Sequence, residues 1–473
     1  MTILRFIFIA IVLCRMVQAY PGVLKTYPAP TGAELLGMYR VEISADNNRW
    51  HTVPTYAVKV DKVENARHNV RKVSMAYFDF EGDVRVRVTK LNGAFTAARI
   101  RPLSYNIGFE RCDSTIEFTL NRPANLSIEF DGELFNNLHL FANPMLKDKP
   151  KMRDKHTVYF GPGIHRLVGD TLAVKSGTTV WIDGGAIVKG TLKISDAKNV
   201  KVMGRGEIHP DGRGPGIEIA RSRGVSVDGI ITTQCPVGGS DGVKITNVKT
   251  ISSYGWGDGL NVFASSNVLW NGVFCRTSDD CTTVYATRKG FTGGCKNITM
   301  LNSTLWADVA HPIFIGLHGN TERPDTIENV RYENIDILDE NEFQLDYQGC
   351  MAINAGDDNL VRDIVFKDIR IENIRRGQIL SLRVSFNKKY CKAPGRGIEN
   401  VLFKNITYTG TQPEVALIIG YDSLRKVKNV TFDNFTINEK RIYDDMPDKP
   451  KWYKTADMGR IFIGENVENV VFK

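Results

Sequence analysis

Trp256-Gly257-Asp258-Gly259-Leu260-Asn261-Val262-Phe263 is followed, a little further along the chain, by Thr277-Ser278-Asp279-Asp280-Cys281-Thr282-Thr283-Val284-Tyr285. Laid over one another, the two segments put Asp258 on Asp280, Val262 on Val284 and Phe263 on Tyr285. If each is one strand of a stacked coil, the strands lie roughly 4.8 Å apart and three carboxylates meet on adjacent rungs. Acid–base cleavage of a glycosidic bond uses such a cluster, with one carboxyl protonated and another ionised.

A third rung follows in Trp306-Ala307-Asp308-Val309-Ala310-His311-Pro312-Ile313-Phe314-Ile315. Setting Ile315 beside Val284 brings His311 beside Asp280, so Asp258, Asp280 and His311 form a column. Asp279 is one residue off it. Side chains alternate along a strand, so Asp279 and Asp280 reach one cleft only if the strand opens with a bend or bulge. A single Asp-Gly or Asp-Asp is a turn signal. Two in coil register, with a histidine on the third rung, point to chemistry.

The wider pattern predicts the coil. An Asn-Val-like dipeptide recurs at Asn199, Gly224, Asn267, Asn297, Asn329, Asp363, Asn400, Asn429 and Asn469, with steps from Asn267 of 30, 32, 34, 37, 29 and 40 residues. Each interval holds two or three short apolar strands, too few for a four-stranded propeller blade. A parallel β-helix tolerates such drift, because turn insertions change coil length without changing the stack. Val, Ile, Leu and Phe are expected inside and Asn ladders at the corners. Upstream, Val84–Val88, Thr115–Leu120 and Leu126–Phe130 alternate as strands of a β-sandwich. The expected fold is all-β, with an N-terminal β-sandwich over 20–150 and a right-handed parallel β-helix over 151–473. The sandwich is expected to shield one end of the helix, across the charged linker Lys147–Lys151.

Arg5, the apolar run Phe6–Leu13 and Val17-Gln18-Ala19 read as a secretory signal over 1–19. The run is too short to span a bilayer. The mature chain is therefore expected to be secreted and extracellular, with no membrane partner. Six Asn-x-Ser/Thr sequons, at Asn125, Asn297, Asn302, Asn405, Asn429 and Asn434, permit a glycoprotein. The net charge of +8 is scattered rather than striped, which argues against nucleic acid. Beyond the leader seven cysteines remain, an odd number, so at least one is unpaired.

The isolated Asp, the Asp-Asp of the next rung and a sandwich ending in Asn137-Leu138-His139-Leu140-Phe141-Ala142-Asn143-Pro144 together resemble the β-helical polysaccharide hydrolases. These are glycoside hydrolase families 49 (dextranases, isopullulanase) and 28 (polygalacturonases). Family 49, with a sandwich before its β-helix, is the more similar. The resemblance implies an inverting, cofactor- and metal-independent hydrolase with Asp258, Asp279 and Asp280 catalytic. One of the pair is then the general acid, and the others activate water. Family 28 usually has Asn-Thr-Asp, Gly-His-Gly and Arg-x-Lys, whereas this chain has Trp256-Gly257-Asp258, Leu317-His318-Gly319 and no matching Arg-x-Lys. An anionic sugar needs a charge partner, so the expected substrate is an α-glucan such as dextran, cleaved internally by a monomer. A polygalacturonase-type pectin hydrolase is the alternative. Expected substrate-binding residues are His311, His318, Trp256, Tyr285, Arg288, Trp306 and Asp308. A Ca²⁺-dependent polysaccharide lyase and a non-catalytic glycan-binding solenoid are the competing classes.

Overall fold

The computed structural model describes residues 22–473 except 47–48, 65–66, 148, 151–153, 254, 256 and 412. The expected leader, part of the charged linker and Trp256 lie outside the described residues.

Strands from Val23–Lys25 to Leu138–Pro144 form two sheets, of six and five strands. In the smaller, Tyr39–Ser44, Val84–Lys90 and Thr115–Leu120 pair antiparallel. Val84, Val86 and Val88 point inward and meet Phe78, Leu126, Ile128 and Leu140 of the larger sheet in one core. The β-sandwich forms for the reason its alternation predicts: each sheet has one apolar side to bury. Leu138–Pro144 also pairs parallel with Val70–Glu81, a long-range register that local alternation does not reveal.

From Thr157 onward 28 strands join in one continuous sheet, bonded coil to coil in parallel except for the antiparallel hairpin strand Lys440–Ile442. This is the parallel β-helix. Val268, Ile298, Val330, Ile364, Val401, Val430 and Val470 stand in register. The drifting dipeptide step is therefore the length of one coil. The Asn before each apolar residue turns the corner with a left-handed backbone, for example Asn297 at φ 57° and Asn400 at φ 58°. Asn adopts that conformation more readily than most residues. Its side chain then bonds up the stack: Asn297 Nδ2 donates to Asn267 Oδ1 (2.9 Å), Asn329 to Asn297 (2.6 Å) and Asn469 to Asn429 (2.9 Å). A second ladder runs through Asn271, Asn302 and Asn334. Sequon residues Asn297, Asn302, Asn405, Asn429 and Asn434 are all ladder residues, so their spacing serves the corners.

Inside the helix Phe366, Phe403, Phe432 and Phe472 stack at 5.0, 4.9 and 4.5 Å between ring centres. The seven described cysteines are all free, six of them buried.

The sandwich does not sit on an end of the helix as expected. Tyr56, Val60, Tyr77 and Phe141 pack on Ile187, Ile231, Ile251 and Phe274, which belong to four different coils. The sandwich therefore lies along a side wall. The sequence offered apolar residues on both partners but nothing to say which wall they cover.

Phe403 lies between two ring partners, so Phe403→Ala should destabilise the fold by about 3–5 kcal/mol. Denaturant or thermal unfolding measures this.

Candidate active site

Leu260–Phe263, Thr282–Tyr285 and Ile313–Gly316 lie side by side and parallel, with Val262 beside Val284 and Val284 beside Ile315. This is the register the sequence offsets predict. Val262, Val284 and Ile315 enter the helix core, whereas Phe263, Tyr285 and Phe314 form a cluster on the outside. Asp258, Asp280 and His311 precede their strands at one corner of the coil.

The bend that Asp279 requires is present. Between Phe274–Thr277 and Thr282–Tyr285 the chain leaves strand geometry over Ser278–Cys281. Thr277 Oγ1 donates to the Asp279 carbonyl (2.6 Å), and the Asp280 N–H donates to Asp279 Oδ1 (3.0 Å). On the neighbouring coil Gly259 is needed for close approach, since a Cβ there would stand 2.5 Å from the Cys281 carbonyl oxygen.

Asp280 is buried. Its Oδ2 accepts from the Tyr285 hydroxyl (3.1 Å) and its Oδ1 from His311 Nδ1 (2.7 Å). His311 Nε2 donates to the Tyr347 carbonyl, so both ring nitrogens act as donors and the ring is an imidazolium. Burial opposes that charge, but Asp280, with Glu342 and Glu340 nearby, outweighs it and holds His311 up at about 9. Asp258 accepts from Asn261 Nδ2 (2.5 Å), and Asn261 Oδ1 accepts from Thr283 Oγ1 (2.8 Å). Burial, then repulsion from Asp280, push Asp258 up to about 7. Burial, then the charges of Asp258 and Asp280, raise Asp279 well above the usual carboxylate range. The corner thus favours protons on Asp258 and Asp279, and it meets Asp280 with two side-chain hydrogen-bond donors.

The other expected residues divide. Arg288 is exposed, and His318 is largely buried. Both line a cavity of about 390 Å³ with Lys289, Glu322, Asp357, Tyr390 and Lys392. His318 stands edge-on to Tyr285 at 5.0 Å, and its burial, with Arg288 and Lys289 nearby, lowers it to about 3, so it is neutral. Tyr285 is 7% exposed and its hydroxyl serves Asp280, which leaves no open ring face for a sugar. His311 has no exposed surface; it acts behind Asp280 and does not face the cleft. Trp306 and Asp308 are corrections as well, since both are fully buried. The Trp306 ring lies 4.0 Å under the Arg276 guanidinium, and Asp308 bonds Arg276. Neither can meet a substrate. Both stand on the wall that the sandwich covers.

Asn261, Tyr347 and Lys392 were not anticipated. Asn261 had a legible signal, because it lies beside Thr283 at the same coil offset that pairs Asp258 with Asp280. Tyr347 and Lys392 arrive on turns whose conformation no periodicity encodes.

Asp258 holds its proton more tightly folded than unfolded, where an Asp titrates near 3.9. The stability this gives is complete below that value and is lost as pH rises through about 7. Asp258→Asn should therefore raise the melting temperature by a few degrees at pH 8 and leave it nearly unchanged at pH 3.5. Paired thermal melts at the two pH values check this.

Residues 217–448 match the model of glycosyl hydrolases family 28. No curated protein matches the chain at a significant level. Among solved structures, Dex49A from Penicillium minioluteum is similar with a TM-score of 0.61 at 13% identity, over 94% of this chain and 96% of that one. The family 28 exopolygalacturonase of Yersinia enterocolitica gives 0.45 at 13% identity, over 82% and 96%. The Dex49A likeness is one of fold: its β-helical architecture extends over nearly all of this chain. The family match bears on chemistry and sets aside the lyase and the non-catalytic solenoid. The chain is a β-helical glycoside hydrolase.

Proposed function

We propose that this enzyme is exported and, as a monomer, cleaves a polysaccharide internally with inversion, using Asp258, Asp279 and Asp280. The observation that carries the reading is the unequal setting of the adjacent pair. Burial, then the nearby charges of Asp258 and Asp280, favour the protonated form of Asp279. Asp280 accepts hydrogen bonds from Tyr285 and His311. Asp279 gives its proton to the leaving glycosidic oxygen as the bond to the anomeric carbon breaks. Asp280 takes a proton from the water that attacks the opposite face of the sugar. Asp258, raised by burial and then by the Asp280 charge, stands at the same corner. His311 keeps Asp280 aimed and balances its charge.

The polymer is first taken to be an α-glucan such as dextran, on the likeness of architecture. A specific observation favours a second reading, an acidic polymer of the polygalacturonate type. Arg288, Lys289 and Lys392 line the cavity beside Tyr285, and none of them has a salt bridge among the described residues. Unpaired cations at a sugar site suit a carboxylate.

Each of Asp258→Asn, Asp279→Asn and Asp280→Asn should lower kcat by roughly 10²–10⁴ with the fold kept. Unchanged turnover in any two of them refutes the assignment. Proton NMR of the first product should show the anomer opposite to that of the substrate bond. For the wild type, kcat should decline as pH rises past about 7, where Asp258 loses its proton.

Reducing ends released from dextran and from polygalacturonate separate the two polymers. Turnover of dextran alone keeps the glucan reading. Turnover of polygalacturonate, with KM raised roughly tenfold in Arg288→Ala or Lys392→Ala, establishes the acidic one.

A further inference from the structure

The wall that carries the sandwich ends, on each coil, at the corner that carries the acids. Arg276 is the last but one residue of its strand on that wall, three residues before Asp279, and has no exposed surface. Its Nε and Nη2 donate to the two carboxylate oxygens of Asp308 (2.8 and 3.2 Å). Its Nη1 donates to Asn137 Oδ1 (2.9 Å) and lies 3.2 Å from His139 Nε2. Its Nη2 also donates to the Leu134 carbonyl (3.0 Å). A guanidinium has five N–H groups, and these five bonds use them. Three of the partners, Leu134, Asn137 and His139, belong to the sandwich. Asn137 is itself buried and held by Nδ2 donating to Ser127 Oγ (2.9 Å).

Asp308, the other partner, lies three residues before His311. Its N–H donates to the Thr277 carbonyl (2.9 Å), and the Cys281 N–H donates to the His311 carbonyl (2.8 Å). Arg276 and Asp308 therefore tie together the two strands that deliver Asp279, Asp280 and His311. The tie is made on one side of the bend and the acids stand on the other. Any shift of the guanidinium moves both strands.

We propose that the sandwich is part of the catalytic apparatus: its Leu134–His139 segment, acting through the positioning residues Arg276 and Asp308, fixes the Asp279–Asp280 bend against His311. The inference rests on the assignment of Asp279 and Asp280 as acid and base. The apolar contacts of Tyr56, Tyr77, Ile231 and Ile251 join the two parts, and Arg205–Asp79 and Arg101–Glu372 bridge them elsewhere. The Arg276 set differs in its place, because its helix-side partners lead directly into the acid corner. A buried charge is costly to desolvate, and that cost is offset only where its hydrogen-bonding groups are met. Such a group is retained where geometry matters, and here the geometry it controls is that of the acid corner. His139 fits the role: burial and the Arg276 charge hold its ring well below its usual range, so it accepts from Arg276 rather than repelling it.

The test is Asn137→Ala in the full chain, with Ile231→Ala as a docking control at the same interface. Asn137→Ala should lower kcat about tenfold at unchanged KM. By ¹⁵N NMR of the imidazoles, His311 should lose its proton at lower pH than in the wild type, because its bond to Asp280 loosens. Ile231→Ala should lower the melting temperature and move none of these. If Asn137→Ala also changes only the melting temperature, the proposal is overturned and the contact is docking alone. If neither polymer is hydrolysed, the catalytic assignment fails separately, and the His311 titration decides the positional claim: an unmoved titration overturns it.

Discussion

A parallel coil cannot satisfy itself. Its backbone donors and acceptors point up and down the stack, and its inward side chains have no partner within their own turn. Both are met only by a neighbouring coil in register. That requirement fixes the positions of Val268, Ile298, Val330, Ile364, Val401, Val430 and Val470 relative to one another, whatever the length of chain between them. It also explains where variation is tolerated. Insertions are absorbed by turns, so a turn can lengthen and bring a new side chain to the surface without disturbing the stack. The acid corner and the cavity at the opposite ends of one short wall are both made of such turns.

The same constraint decides what could be read from the sequence. Coil register is a one-dimensional property, and subtracting residue numbers recovers it. That is why Asp258, Asp280 and His311 were found as neighbours, and why the all-β sandwich-plus-helix organisation was legible. Register does not say what lies over a wall. Trp306 and Asp308 look like cleft residues when only their distance along the chain from His311 is known. They are buried because a separate part of the chain, Leu134–His139, lies over them. Tyr285 and His311 are enclosed by Tyr347 and its turn for the same reason. The placement of the sandwich along a side rather than an end is a further instance: its apolar patch was visible, its partner was not. Asp279 was intermediate. Alternation required a bend, and the Asp-Asp pair supplied turn residues to make it, but only the coordinates show where the carboxyl then points.

Once the corner is assembled, electrostatics does the remaining work. Three carboxyls close together in a largely buried place cannot all ionise, since like charges in low dielectric repel strongly. The protein sets the His311 imidazole against Asp280 by a direct hydrogen bond. Asp258 receives only the amide of Asn261, and Asp279 the backbone N–H of Asp280. Neutral donors stabilise a carboxylate less than a charged one. Burial therefore favours the protonated form of Asp258 and Asp279, the two carboxyls without the histidine. One histidine on the third rung is enough to give three chemically alike groups unequal settings.

This sorting depends on distance, and distance is set from the wall behind. His311 and Asp279 lie on different coils, each three residues from a partner in the Arg276–Asp308 ion pair. Backbone bonds at Thr277–Asp308 and Cys281–His311 bracket the corner. A solenoid of short strands and long turns has little stiffness of its own at such a place, because each turn is held only by its two neighbours. A fully bonded guanidinium, anchored to a second folded part, gives the corner a reference outside the stack. The group that distinguishes the acids and the charge that holds them in place are thus separate: His311 bonds Asp280 directly, whereas Arg276 acts from the far side of the bend.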